Sequence, residues 1–206
     1  MMIGDLLFIL LVLTAFITLF RAIYLLARRR YPQAGRVLFR LTVGLAVYFA
    51  ALISVSLVAQ RKVLAMGQDR CFDDWCLAVE KVTTNANIGN VSAQGTFYVV
   101  TLRVSSRARR VSQRALDAAV HLEDSQNRTY EVSDAGQRAF EAQNGPAKAL
   151  FDRLEPGEAF TTVRVFDVPR DTVGLGLVVV HGAFPGCIII GDSQSFLHKR
   201  TLTLLK

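Results

Sequence analysis

Residues Leu41 to Gln60, LTVGLAVYFAALISVSLVAQ, run for twenty positions without a charge. A helix needs about 20 mostly apolar residues to cross the hydrocarbon core of a bilayer, and this stretch meets that length by itself. A second run lies just upstream. Leu6 to Phe20 is uncharged, and after Arg21 the apolar pattern resumes to Ala27. It reaches spanning length if Arg21 sits near the interface and extends its guanidinium to water. Neither run has a polar face, which argues against a buried hairpin in a soluble protein. A cleavable signal peptide also fits poorly, because the first run lacks a basic leader and no small-residue cleavage site precedes ARRRYPQAGR. The expectation is a transmembrane hairpin over residues 1–60, with helices at about 4–27 and 38–60.

The net charge of +7 invites a nucleic-acid reading until its distribution is considered. Residues 1–60 hold six arginines against Asp5 alone, a net of +5. The remaining chain holds 18 basic and 16 acidic residues, a net of +2. A nearly balanced domain offers no basic face for phosphates, so no nucleic-acid partner is expected. The excess sits around one short connector, with Arg28, Arg29, Arg30, Arg36 and Arg40 as topology determinants. Positively charged loops stay in the cytoplasm. That orients the chain N-out and C-out in the cell (inner) membrane, with everything after about Gln60 periplasmic or extracellular. Arg61 and Lys62 oppose this orientation, but two charges do not outweigh the connector.

Beyond residue 76 the period changes to that of strands. LAVEKVT (77–83) and TFYVVTLRV (96–104) alternate, and Tyr98, Val100, Leu102 and Val104 share one face. LDAAVHLED (116–124), AFTTVRVFDV (159–168), GLGLVVVHG (174–182), CIIIGD (187–192) and RTLTLL (200–205) follow. Short β-rich runs separated by polar or Gly/Pro turns predict a sandwich. SDAGQRAFEAQ (133–143) opens on capping residues and ends before Gly145-Pro146, so it reads as one inserted helix. The predicted class is membrane-anchored all-β, with residues 61–76 as a linker carrying a cysteine pair and 77–206 as the sandwich.

Three segments carry a resemblance: GTFYVVTLRVSSRARR (95–110), VHLEDSQNRTYEVSD (120–134) and VRVFDVP (163–169). Together they resemble the telokin-like, immunoglobulin-like sandwich of bacterial extracytoplasmic domains of unknown function, over roughly residues 75–192. In that family a long strand leads into a loop. A second strand then ends in an Asp, a turn and a Tyr, and a third ends in Val-Pro. Asn127-Arg128 replaces the family's glycine-containing turn, and SFLHKRTLTLLK extends past its usual end. The resemblance implies a fold and an extracytoplasmic location, and it supplies no catalytic residues.

The stretch RCFDDWCLAVEKV (70–82) concentrates the candidate chemistry. Cys71 and Cys76 enclose four residues, wider than the usual metal-binding pair. Cys187 and the dispersed His121, His181 and His198 supply no matching second pair. Redox catalysis prefers C-x-x-C at a helix start. Outside the cell two such close thiols form a disulfide, which is the expectation, fixing the bend where linker becomes strand while Trp75 covers one end of the sandwich. Asp73 and Asp74 lack calcium-loop spacing and read as a solvated turn. Cys187 opens an apolar run read as a buried strand, with an intermolecular disulfide as the sharper alternative. The loop 191–200 gathers Asp192, Ser193, Ser195 and His198, the residue types of a hydrolase, but lacks a nucleophile elbow. Arg107, Arg109, Arg110 and Arg114 form a basic loop that is the interaction-loop candidate. Asn90-Val-Ser and Asn127-Arg-Thr match glycosylation sequons.

No catalytic residue, metal or cofactor is expected. The reading is a non-enzymatic binding module held at the membrane, with the lipid bilayer as one partner and a homo-oligomer or larger envelope complex as another. Gly44, Ala46, Ala50 and Ala51 are small enough to admit a partner helix. A periplasmic hydrolase using the 191–200 loop and an accessory subunit of a transporter or secretion system remain the alternatives.

Overall fold

The computed structural model describes residues 3–72, 74–115 and 117–206. The two apolar runs form helices α1 (Ile3–Ala27) and α2 (Tyr31–Val58). At a rise of 1.5 Å per residue these are about 38 and 42 Å long. Their apolar side chains are largely uncovered. Among the described residues of α1 only Gly4 and Ala22 are buried, while Phe16 and Phe20 are 60% and 69% exposed. The rest of the described chain therefore does not bury these two helices. The hydroxyls of Thr14, Thr18, Thr42 and Ser54 donate back to carbonyls one turn earlier, so these four are satisfied within their own helices.

The connector is shorter than its arginines suggested. α2 begins at Tyr31, not near residue 38, with Pro32 in its first turn, where a missing N–H costs nothing. Hydropathy marks where a helix turns apolar, not where it starts, so Arg36 and Arg40 lie on α2 itself. The turn is Arg28–Arg30. Arg30 N–H donates to Leu25 at 2.9 Å and Arg29 N–H to Leu26 at 2.8 Å, closing α1 with Arg29 in the left-handed region at φ 59°.

The remaining strands build two sheets. One has the order β1–β9–β8–β5–β6, from β1 (Val63–Leu64), β5 (Ala119–Glu123), β6 (Thr129–Tyr130), β8 (Gly176–Val180) and β9 (Leu202–Leu204). The other has the order β2–β3–β4–β7, from β2 (Arg70–Phe72), β3 (Trp75–Ile88), β4 (Val91–Ser106) and β7 (Ala159–Val168). They enclose one core, in which Leu77, Val79, Val100, Leu102, Val104, Phe166 and Val168 meet Val120, Leu122, Leu177 and Val179. The residues assigned to 61–76 are therefore no free linker, since β1 joins one sheet and β2 the other.

Helix α3 (Asp134–Asn144) covers the outer face of the four-stranded sheet. Ser133 caps it, accepting from Gly136 N–H. Phe97, Val99 and Val165, which point away from the main core, pack under Ala139 and Phe140. A Cβ on Gly136 would lie 2.8 Å from Val165 Cγ1 and 2.9 Å from Phe97 Cε1, so glycine sets the helix-to-sheet distance.

One expected strand is absent. CIIIGD forms turns within the segment Ala183–Lys199, which groups with the helical hairpin, while Arg61–Gly182 and Arg200–Lys206 form the sandwich unit. Apolarity without alternation does not distinguish a buried strand from a packed loop. Gly182 and Gly191 at positive φ, with Pro185 between them, interrupt any ladder. The domain expected over 77–206 is thus broken by an excursion.

The turn between β5 and β6 explains the departure at Asn127. Asn127 takes φ 60°, which asparagine tolerates better than most residues, and so does the work of the missing glycine. Asp124 organises the turn, accepting from Gln126 N–H, Arg128 N–H, Arg128 Nε and Tyr130 Oη at 2.6–3.0 Å. Desolvation opposes its ionisation, but these four donors prevail and hold its carboxyl down to about 2. A depressed value stabilises the fold above the unfolded value of about 3.9 and loses that contribution as pH falls through the folded one. Urea midpoints of the wild type should fall between about pH 4 and 2. D124N should start lower at neutral pH and vary less across that window.

Candidate functional site

Residues from several separate segments converge around the β2–β3 hairpin. Cys71 and Cys76 face each other across it, with Cα atoms 3.9 Å apart, and are joined as the expected disulfide. Asp73, expected in a solvated turn, lies outside the described residues. Asp74 is exposed and held in the turn, its carbonyl accepting from Arg107 N–H at 2.6 Å and its carboxylate from Gln113. Asp69 Oδ comes close to both sulfurs. With those sulfurs joined to each other, no thiolate is left for a metal.

Behind the disulfide, Trp75 is buried where β3 begins, opposite Ser106 at the end of β4, and joins the main core there. Phe72 stacks on it with centroids 4.9 Å apart, and His181 meets it edge-on. Trp75 Nε1 donates to His181 Nε2 at 3.3 Å. An indole only donates, so Nε2 is the acceptor in this contact. His181 Nδ1 faces the Asp117 carboxylate, which also accepts from Gly182 N–H. The pair resembles the carboxylate–imidazole contact of a triad in arrangement only, because the indole occupies the nitrogen that a base would use. Nothing in the sequence signalled this pairing, because 64 residues separate its members and neither carries a motif.

Arg70 is the buried cation of the site. Its Nη1 donates to the carbonyls of Val179 and Thr201, and its guanidinium lies 4.6 Å from the Phe72 ring centre. Burial first, and Arg200 second, push its pKa down to about 10, so it remains charged at neutral pH.

The basic loop is only partly available. Arg107 pairs with Asp69 at 3.1 Å, and Asp69 also binds Arg103. Arg109, Arg110 and Arg114 are exposed and form no ion pair among the described residues. Arg61, which had opposed the membrane orientation, pairs bidentately with Glu123 at 2.6 and 3.0 Å.

The hydrolase-like loop does not assemble. Ser195 is buried and its hydroxyl donates to Ile189 O. Asp192 accepts from Gln194 N–H, and the His198 ring bonds to neither residue. Cys187 is a half-buried free thiol in a turn. Asn90 and Asn127 are exposed in turns.

No protein-family model matches the chain, and no curated protein matches it significantly. Solved structures similar to it include a conserved hypothetical protein from Bacillus anthracis, 19% identical, covering 56% of this chain and 89% of that one with a TM-score of 0.44. A secreted protein from Mycobacterium tuberculosis is 15% identical, covering 60% and 92%, with a TM-score of 0.42. An uncharacterized β-sandwich protein from Clostridium difficile is 9% identical, covering 71% and 95%, with a TM-score of 0.43. Those scores mark partial overlap, and the fold is read from this chain's own strand order and core.

The disulfide closes a short loop, for which chain entropy gives about 2 kcal/mol. C71S/C76S should lose about that much in urea unfolding. Trp75 fluorescence in the native state should be retained, because the Trp75–His181 contact does not depend on the bridge.

Proposed function

We propose that this chain is a membrane-anchored extracytoplasmic binding module without catalytic activity. In this reading α1 and α2 cross the membrane, the sandwich is immunoglobulin-like and lies outside, and the loop 107–114 is its contact surface. The observation that carries the reading is the coupling of two uncovered apolar helices to a disulfide-bonded sandwich. Disulfides persist in oxidising compartments, and uncovered apolar helices of this length require lipid. The engaged Ser195 hydroxyl and the occupied His181 nitrogen support a role other than hydrolysis.

The unpaired Arg109, Arg110 and Arg114 define the partner's chemistry as acidic. Gly44, Ala46, Ala50 and Ala51 are all exposed on α2 and suit self-association or docking to a larger envelope complex. The close contacts within the helical hairpin instead use Ala22, Ala34, Leu52 and Ser56, which leaves the other small residues unoccupied.

Two measurements test this reading. In a C187S background, a reporter cysteine at Arg30 should resist a membrane-impermeant maleimide in intact cells while one at Gln143 reacts. The reverse pattern inverts the topology and defeats the proposal. A photo-crosslinker replacing the exposed Val111 should form an adduct in intact membranes, and R109E/R110E/R114E should reduce it severalfold. An undiminished adduct would remove the basic loop from the interface.

A further inference from the structure

The segment between β8 and β9 performs no task in the sandwich, yet it is well built. Its backbone bonds to itself: Ile188 N–H donates to Pro185 O, Ile189 to Gly186, Ser195 to Asp192, and Phe196 to Cys187, at 2.9–3.1 Å. It is fastened to the helical hairpin at two points. Tyr48 Oη donates to Ile188 O at 2.8 Å. Gly4 lies so close to the Ile190 carbonyl that any side chain there would collide with it. Tyr48 is ten residues before the end of α2, inside its uncharged portion. Ten residues correspond to about 15 Å along the axis, so the segment reaches well below the end of the helix.

Its outward side chains are apolar. Phe184, Phe196 and Leu197 are 77%, 60% and 51% exposed. Leu197 holds φ 64°, a conformation that glycine or asparagine adopts with less strain. Leucine at such a position adds exposed apolar surface where the backbone alone would favour a smaller or polar residue. Lys199 closes the segment, a cation suited to phosphate headgroups.

We infer that the loop 183–199 is a third membrane-inserted element, seating Phe184, Phe196 and Leu197 in the outer leaflet beside α1 and α2. The inference rests on the membrane-anchor reading. Irregular backbone is tolerated at membrane depth only when its polar groups are satisfied within the protein, and the turn bonds together with Tyr48 provide that. The occupant of the exposed apolar surface is lipid, because Tyr48 fastens the loop to the uncharged portion of α2, where the neighbouring Val47 and Phe49 are themselves exposed.

Spin labels in the full-length oxidised chain test this. In a C187S background, nitroxides at F196C and, separately, F184C would be placed in vesicles of phosphatidylcholine and phosphatidylglycerol. F49C on α2 and Q143C on α3 serve as references. Collision with oxygen is compared with collision with a water-soluble nickel chelate. The expected result is oxygen-dominated relaxation at positions 196, 184 and 49, and nickel-dominated relaxation at 143. Nickel-dominated relaxation at both loop positions with oxygen at 49 overturns the insertion and leaves the anchor standing. Nickel dominance at 49 as well removes both. A spectrum of immobilised labels at both loop sites, accessible to neither agent, assigns the surface to protein contact and also overturns the proposal.

Discussion

The paired strands β3 and β4, 14 and 16 residues long, are the frame on which the rest of the sandwich is assembled. Their inner face supplies much of the main core, and the outer face of β4 carries the small cluster under α3. The two-residue turn that joins them has Gly89 at φ 58°, which places the strands in register. Near Val79 a bulge leaves Glu80 without a partner across the ladder. Its carboxylate instead reaches Arg103 at 3.3 Å.

Edges of sheets invite unwanted pairing, and β7 illustrates how this one is covered. Gln137 of α3 accepts from Val165 N–H at 3.0 Å and donates to Val163 O, while Ser133 N–H donates to Val165 O. One glutamine side chain thus substitutes for a neighbouring strand. The glycine one residue earlier lets the helix come close enough to do so.

Legibility in the sequence followed period. The alternation at Tyr98, Val100, Leu102 and Val104 placed one face of β4 in the core, and the capping Ser133 placed α3. The cysteine pair was readable because its spacing is local. Contacts between distant segments were not. Trp75 with His181, Arg61 with Glu123, and Arg70 with Val179 join positions 62 to 109 residues apart, and no local pattern encodes such pairs. The CIIIGD segment failed for a different reason. Burial against helices and burial in a sheet select the same residues when no alternation is present.

The parallel pairing of β1 with β9 has a consequence for synthesis. Val63 and Leu64 emerge directly after α2, but their partners Leu202 and Thr203 come about 140 residues later. The five-stranded sheet therefore cannot close until β9 is available to join β1 and β8. Folding of this sheet thus waits on the synthesis of β9, and a chain in which β9 is not yet available would present β8 as an open, apolar edge.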